Sequence, residues 1–165
     1  FNLSQTSLSK DNDETPRIIE CEQVIENMKD KPVIKHNISR CYYNPKKDYI
    51  SLPKMEDFNS PEEYYATLFH ELIHWSGHAQ RLNRESLTLN DKEKYSMEEI
   101  SADIGSAYLS ALCGISPKVV DNQASYIDGW IKLSNKQENL FPLAAAQASK
   151  AVNYILGDLT NYNVN

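Results

Sequence analysis

The sequence predicts a mostly helical α+β domain, with a small antiparallel or mixed sheet packed on one central helix and a helical C-terminal part after it. Three observations point there. Residues 61–76 carry apolar side chains at helical spacing between a capping serine and a glycine stop. Residues 33–52 hold three short β-rich runs around the turn Asn44-Pro45-Lys46-Lys47. Beyond Ser96, long segments with apolar or small residues at helical period dominate.

The central helix carries the sharpest signals. Ser60 can cap it, Pro61 fits the first helical position, and Glu63 completes a capping box. It should run from Pro61 to His74 or Ser76, with Gly77 as its stop. Inside it lies His70-Glu71-Leu72-Ile73-His74. Four residues apart on a helix, His70 and His74 leave one face about one turn apart, so both can reach a single Zn²⁺. Glu71 stands beside the first histidine, placed to take a proton from water activated by the metal. The chain has four histidines, and His70, His74 and His78 fall within nine residues. His78 could be a further ligand, but it lies beyond the expected helix end and reads first as a helix-end or loop residue.

The remaining elements follow in chain order. Residues 1–14 are polar and read as a linker or the tail of a preceding domain; residues 15–157 are the folded domain; residues 158–165 are a frayed end. A first helix is expected from Pro16 to Met28, with Ile18, Ile19, Val24, Ile25 and Met28 as its buried face. Strands are expected at 33–35, 40–43 and 48–52, the last two forming a hairpin that Pro53 ends. Its edge can pair with an extended peptide or serve only as scaffold. A second long helix is expected over 96–113, ended by Gly114, with Ala102, Gly105, Ser106 and Ala107 allowing close packing. A third is expected over 121–137, with Tyr126, Ile127, Trp130, Ile131 and Leu133 as its apolar set. A fourth is expected from Asn139 to Leu156, stopped by Gly157.

Composition bounds the rest. The 165 residues suffice for one domain with a core, and 41% hydrophobic residues is ordinary. Seventeen basic against 23 acidic side chains give −6, which argues against nucleic acid being bound by this domain alone. No apolar run approaches the ~18 residues of a membrane span, and no signal peptide is recognisable. Cys21, Cys41 and Cys113 are an odd set without metal-type spacing, which suggests reduced thiols and a cytoplasmic setting. A start at Phe1 reads as a fragment or a processed product.

Two histidines leave a catalytic zinc site one protein ligand short. Glu98, Glu99 and Asp103 are the candidates. Glu99 and Asp103 share a helix face, which suits Glu99 as the ligand and Asp103 as the acceptor of a metal histidine's other ring N–H. The competing reading makes Ser96-x-x-Glu99 a capping box and leaves the metal to Glu98 or Asp103.

The stretch Tyr65–His78 with Arg81-Leu82-Asn83-Arg84, the run Glu98–Gly105, Asn122–Ile127 and Asp48–Pro53 together resemble the zincin-like metallopeptidase domain of ArdC-type antirestriction proteins. The resemblance implies a zincin-like fold and a gluzincin-like site, with His70, His74 and Glu99 as ligands and Glu71 as base. It implies that Phe1–Thr6 is the tail of a single-stranded-DNA-binding domain, so that DNA would be bound through a missing N-terminal domain. The family commonly has His where this chain has Gln123, and often Glu where it has Asp103. The swap at Asp103 favours Glu99 as the ligand.

The expected activity is hydrolysis of a peptide bond in an antirestriction or mobile-element context, with one Zn²⁺ or another divalent metal and a peptide or protein substrate. Tyr126 is the first choice to stabilise the oxyanion, with Tyr43, Tyr49 and Gln123 as rivals. A non-catalytic, metal-stabilised interaction module is the alternative, and a helical interaction domain without metal is a third reading.

Overall fold

The computed structural model describes residues 16–37, 39–87, 92–115 and 139–157, with the side chains of 92–94 excepted. The expected third helix, with Tyr126 and Gln123, lies outside the described residues, as do 1–14 and 158–165.

The first helix, α1 (Ile19–Asn27), is shorter than its sequence suggests. Ile18 is extended at φ −90° and ψ 112°, and Met28 at φ −59° and ψ 132°. Both turn their side chains onto the core, so apolar anchoring sets both ends where no side chain caps the start. The buried face is Cys21, Val24 and Met28; Ile19, expected in it, is exposed because it stands on the opposite side of the helix, about 170° from that stripe.

Three strands follow: β1 (Val33–His36), β2 (Tyr42–Asn44) and β3 (Tyr49–Leu52). Their order is β1-β3-β2, with β1 parallel and β2 antiparallel to β3, so the sheet is mixed. The β2–β3 hairpin is held by Asn44, whose Oδ1 accepts the N–H groups of Lys46 (3.1 Å) and Lys47 (3.0 Å). Arg40 and Cys41 stay outside β2. The Asn37 side chain captures the backbone N–H groups of Ser39 and Arg40 at 2.8 and 2.9 Å, which withdraws that stretch from the ladder.

The inner face of the sheet, Tyr43, Ile50 and Leu52, packs on α2 (Pro61–Ser76). Ser60 Oγ accepts the Glu63 N–H at 3.2 Å, Pro61 opens the helix and Gly77 closes it. Tyr65, Leu68, Phe69, Leu72, Ile73 and Trp75 are all fully or nearly fully buried, which makes α2 the centre of the core.

The next helix, α3 (Lys92–Leu112), starts one turn before the expected Ser96. Ser96 is therefore a helix-interior residue, and Glu99 is not consumed by a capping box. Helix α3 crosses α2 closely: a Cβ at Gly105 would stand 2.5 Å from Ile73 Cδ1, and Ser106 Oγ donates to the Ala66 carbonyl at 2.8 Å. Behind α3 lies α4 (Leu140–Leu156), whose Ala144, Ala148 and Ala151 are buried. Among the described residues, no helix is long and apolar enough to cross a membrane.

Candidate metal centre

Helices α2 and α3 bring His70, His74 and Glu99 together. His70 Nε2 and His74 Nε2 are 3.1 Å apart. Glu99 Oε2 lies 3.6 Å from the first, and Glu99 Oε1 lies 3.6 Å from the second. Three ligands about 2.0–2.1 Å from one tetrahedral Zn²⁺ would be separated by about 3.3 Å. The observed separations bracket that value.

The opposite edges of both imidazoles are occupied by carboxylates. His70 Nδ1 is 3.1 Å from Asp103 Oδ1, and His74 Nδ1 is 3.0 Å from Glu98 Oε1. An ionised carboxylate can only accept, so each ring donates from Nδ1 and turns its Nε2 lone pair inward. Two lone pairs facing each other at 3.1 Å beside a third carboxylate repel unless a cation lies among them. This donor set fits a divalent metal. Without one, a proton takes part of the role: burial disfavours the His70 cation, but Asp103 and Glu99 outweigh it and push the His70 pKa up to about 10.

Glu98 was a rival for the third ligand; the structure instead places it behind His74. It is 3% exposed and belongs to a buried ionic cluster. Arg84, 7% exposed, donates from Nε to Glu98 Oε2 (3.1 Å) and from Nη2 to Glu98 Oε1 (2.6 Å). Ser86 Oγ donates to Glu98 Oε2 at 2.6 Å. Burial works against the Glu98 charge, yet His74 and Arg84 hold its pKa down at about 2. Arg84 also donates to Ser76 Oγ (2.8 Å) and to the Ile73 carbonyl, stitching the end of α2 to the cluster. Gly77 makes room for it: a Cβ there would meet the Arg84 guanidinium carbon at 2.7 Å. Sequence reasoning missed Arg84 and Ser86. The available signal was the second histidine, which needs a carboxylate of its own, and a buried carboxylate in turn needs a cation.

Glu71 is 6% exposed, with the backbone of Tyr43 on β2 close to its carboxylate. Burial raises its pKa against the pull of His74 and His70. The charge of the Glu99 carboxylate, four residues after Tyr95 on α3, raises the pKa of the Tyr95 phenol.

The two described rivals for oxyanion donor are engaged elsewhere. Tyr43 Oη donates to Asp48 Oδ1 (2.7 Å), and Tyr49 Oη is 3.2 Å from Tyr42 Oη. Asp48 is bound by Arg81, which lies 3.9 Å from the Trp75 ring centroid and donates to the Trp75 carbonyl at 2.7 Å. His78 stays in the turn after α2, where its Nδ1 accepts the Gln80 N–H at 3.2 Å.

Comparison with known proteins agrees with this geometry. Residues 20–147 match the family model described as zincin-like metallopeptidase. The chain is 38% identical over 117 residues to the DNA primase TraC of Escherichia coli, covering 71% of this chain and 8% of that protein. It is 30% identical over 122 residues to the protein y4eC of Sinorhizobium fredii (strain NBRC 101917 / NGR234), covering 74% and 40%. The chain thus spans less than half the length of the curated relatives it matches. Among solved structures, the Mn(II)-bound antirestriction protein ArdC from plasmid R388 superposes with a TM-score of 0.72 at 34% identity, over 90% of this chain and 55% of that one. Its metal-free structure gives 0.62 at 32% identity, over 87% and 50%. The chain belongs to the zincin-like metallopeptidase family.

Proposed function

Starting from that membership, we propose that this chain is the catalytic domain of a metal-dependent peptidase acting in antirestriction or DNA transfer. The observation that carries the proposal is the convergence of His70 Nε2, His74 Nε2 and the Glu99 carboxylate beside the buried carboxylate of Glu71. His70, His74 and Glu99 would hold one divalent cation; the donor set suits zinc, and the Mn(II)-bound relative shows that a protein of this kind accepts manganese. When bound, the cation supplies Lewis acidity that polarises a carbonyl and acidifies water.

The chain's own residues do the rest. Glu71 takes the proton of the attacking water and returns it to the leaving amine; its raised pKa brings it closer to working pH than an exposed glutamate. Asp103 and Glu98 fix the tautomer and angle of the two imidazoles. Among the described residues β2 is an edge strand of the sheet, next to Glu71, and its outer edge could pair with an extended peptide. Tyr95, whose phenol senses the Glu99 charge, joins Tyr126 as a candidate oxyanion donor. The three free cysteines suit a reducing cytoplasm.

A peptide-library cleavage screen on metal-loaded protein tests the proposal, with Glu71→Gln beside it. The expected result is cleavage by the wild type and none by Glu71→Gln, with metal content equal in both. Equal cleavage by the two proteins refutes Glu71 as the base.

A further inference from the structure

The face of the sheet turned away from α2 is not used by the peptidase reading. In register, Val33 and Asn44 flank Tyr49, and Lys35 and Tyr42 flank Ser51. Strand alternation puts Tyr43, Ile50 and Leu52 inward, so these residues face outward together. Tyr42 and Tyr49 meet edge-to-face with ring centroids 6.2 Å apart, and Lys35 Nζ sits 4.2 Å from the Tyr49 centroid. Tyr42 is 38% exposed and Val33 57%.

Charge is segregated onto the same region. Residues 29–54 hold seven basic side chains against two acidic ones, while the rest of the chain holds ten against twenty-one. All seven basic side chains are exposed. Lys31 precedes β1, and Lys46 and Lys47 sit in the hairpin turn at the same end of the sheet. Arg40 precedes β2 at the other end, and Lys35 lies between. Among the described residues, no carboxylate lies within ion-pair distance of these five. Of the two acids, Asp48 is bound by Arg81 and Asp30 accepts the Tyr154 hydroxyl.

We propose that this outer face binds single-stranded nucleic acid. Unpaired cations alone attract any polyanion. Here they flank two tyrosine rings, one of them open, and a ring of that kind adds stacking with an unstacked base. A duplex keeps its bases stacked and offers only phosphates. An acidic peptide matches the cations and leaves the rings unused. Four-residue strands span about 13 Å, room for a few nucleotides. The net charge of −6 sums over the whole chain and hides this region; the acidic surplus elsewhere makes the binding weak and strongly salt-dependent.

The test is fluorescence anisotropy of a labelled twelve-residue oligothymidylate with the 165-residue chain. Binding is expected at 20 mM salt, falling on the order of a hundredfold by 150 mM if about four phosphates are contacted. Tyr42→Ala should weaken it about tenfold and Tyr42→Phe less than twofold, since the ring and not the hydroxyl does the stacking. Lys35→Glu with Lys46→Glu should weaken it more than tenfold. Duplex of equal charge and polyglutamate should compete at least tenfold less well than the unlabelled strand. No binding at 20 mM salt overturns the proposal. So does equal competition by polyglutamate, which would mark an acidic-peptide surface, or unchanged affinity in a Tyr42→Ala protein whose circular dichroism matches the wild type.

Discussion

Replacing Arg84 by methionine tests whether the ionic cluster behind His74 ties the metal centre to the fold. Methionine keeps most of the length and none of the charge. In the native protein the guanidinium makes two bonds to Glu98, at 3.1 and 2.6 Å, and two more to Ser76 Oγ and the Ile73 carbonyl. Its removal leaves the Glu98 carboxylate, 3% exposed, without its cation. Breaking a buried pair from one side costs about 3–5 kcal/mol, because the remaining charge stays buried and unpaired. For a chain of this size about 4 kcal/mol lowers the melting temperature by roughly 8–16 °C. The assay is thermal unfolding followed by circular dichroism at pH 7 in EDTA, so that metal binding does not enter. Arg84→Met with Glu98→Leu removes both charges and should be more stable than the sum of the two single losses predicts, by about 2 kcal/mol. Strict additivity, or an Arg84→Met penalty below about 1 kcal/mol, refutes the reasoning.

The remaining predictions concern the metal, the helix contact and acid stability. Glu99→Ala should lose most of the roughly one equivalent of metal that elemental analysis finds in the wild type; retention would remove Glu99 from the ligand set. Asp103→Asn and Glu98→Gln should each lower metal affinity about 10–100-fold in a chelator competition, and unchanged affinity would show that the imidazoles need no such partners. Gly105→Ala should destabilise by about 1–2 kcal/mol in urea unfolding despite alanine's better helix propensity, because its Cβ meets Ile73 Cδ1; Ile73→Val, which deletes that atom, should recover part of the loss. The Asp48 carboxyl is held below its ordinary range, chiefly by hydrogen bonding from Arg81. Its folded pKa being lower than its unfolded one, it contributes stability above about pH 4 that is lost as pH falls through the folded value. Asp48→Asn should flatten that part of the acid limb in a pH series of urea midpoints, and an unchanged limb would count against the Arg81 pairing.

Local signals in the sequence were enough for α2 and for most of what surrounds it. Ser60, Pro61 and Gly77 bound the helix by capping chemistry that needs no tertiary context. The spacing of His70 and His74 then follows from helical geometry alone. The E-x-x-x-D spacing placed Glu99 and Asp103 on one face of α3, where the structure brings them to the two imidazoles. Tertiary features were not legible. The α1 boundaries come from Ile18 and Met28 reaching the core, which no local propensity encodes. The earlier start of α3 removes the capping-box role of Ser96-x-x-Glu99, and the motif alone could not exclude that role. Arg84 reads in sequence as one more loop cation, and only the packing of the 81–87 segment under the end of α2 makes it a buried counterion.

The centre is built so that holding metal and holding the fold draw on the same residues. Glu71, Glu98, Glu99 and Asp103 put four carboxylates around two imidazoles, with Arg84 as the fixed cation hydrogen-bonded within the set. Such a surplus of negative charge in a half-buried place favours a divalent cation, and a proton on His70 is the partial substitute. A proton on His70, favoured by Asp103 and Glu99, competes with a metal for the same nitrogen, so metal affinity should rise with pH. Asp103 and Glu98 hold the Nδ1 edges, and the closely packed α2–α3 contact at Gly105 sets the distance between the histidines and Glu99. A site organised in this way spends little binding energy on ordering its ligands, so substitutions at Glu98, Arg84 or Gly105 should weaken metal binding without touching a ligand atom.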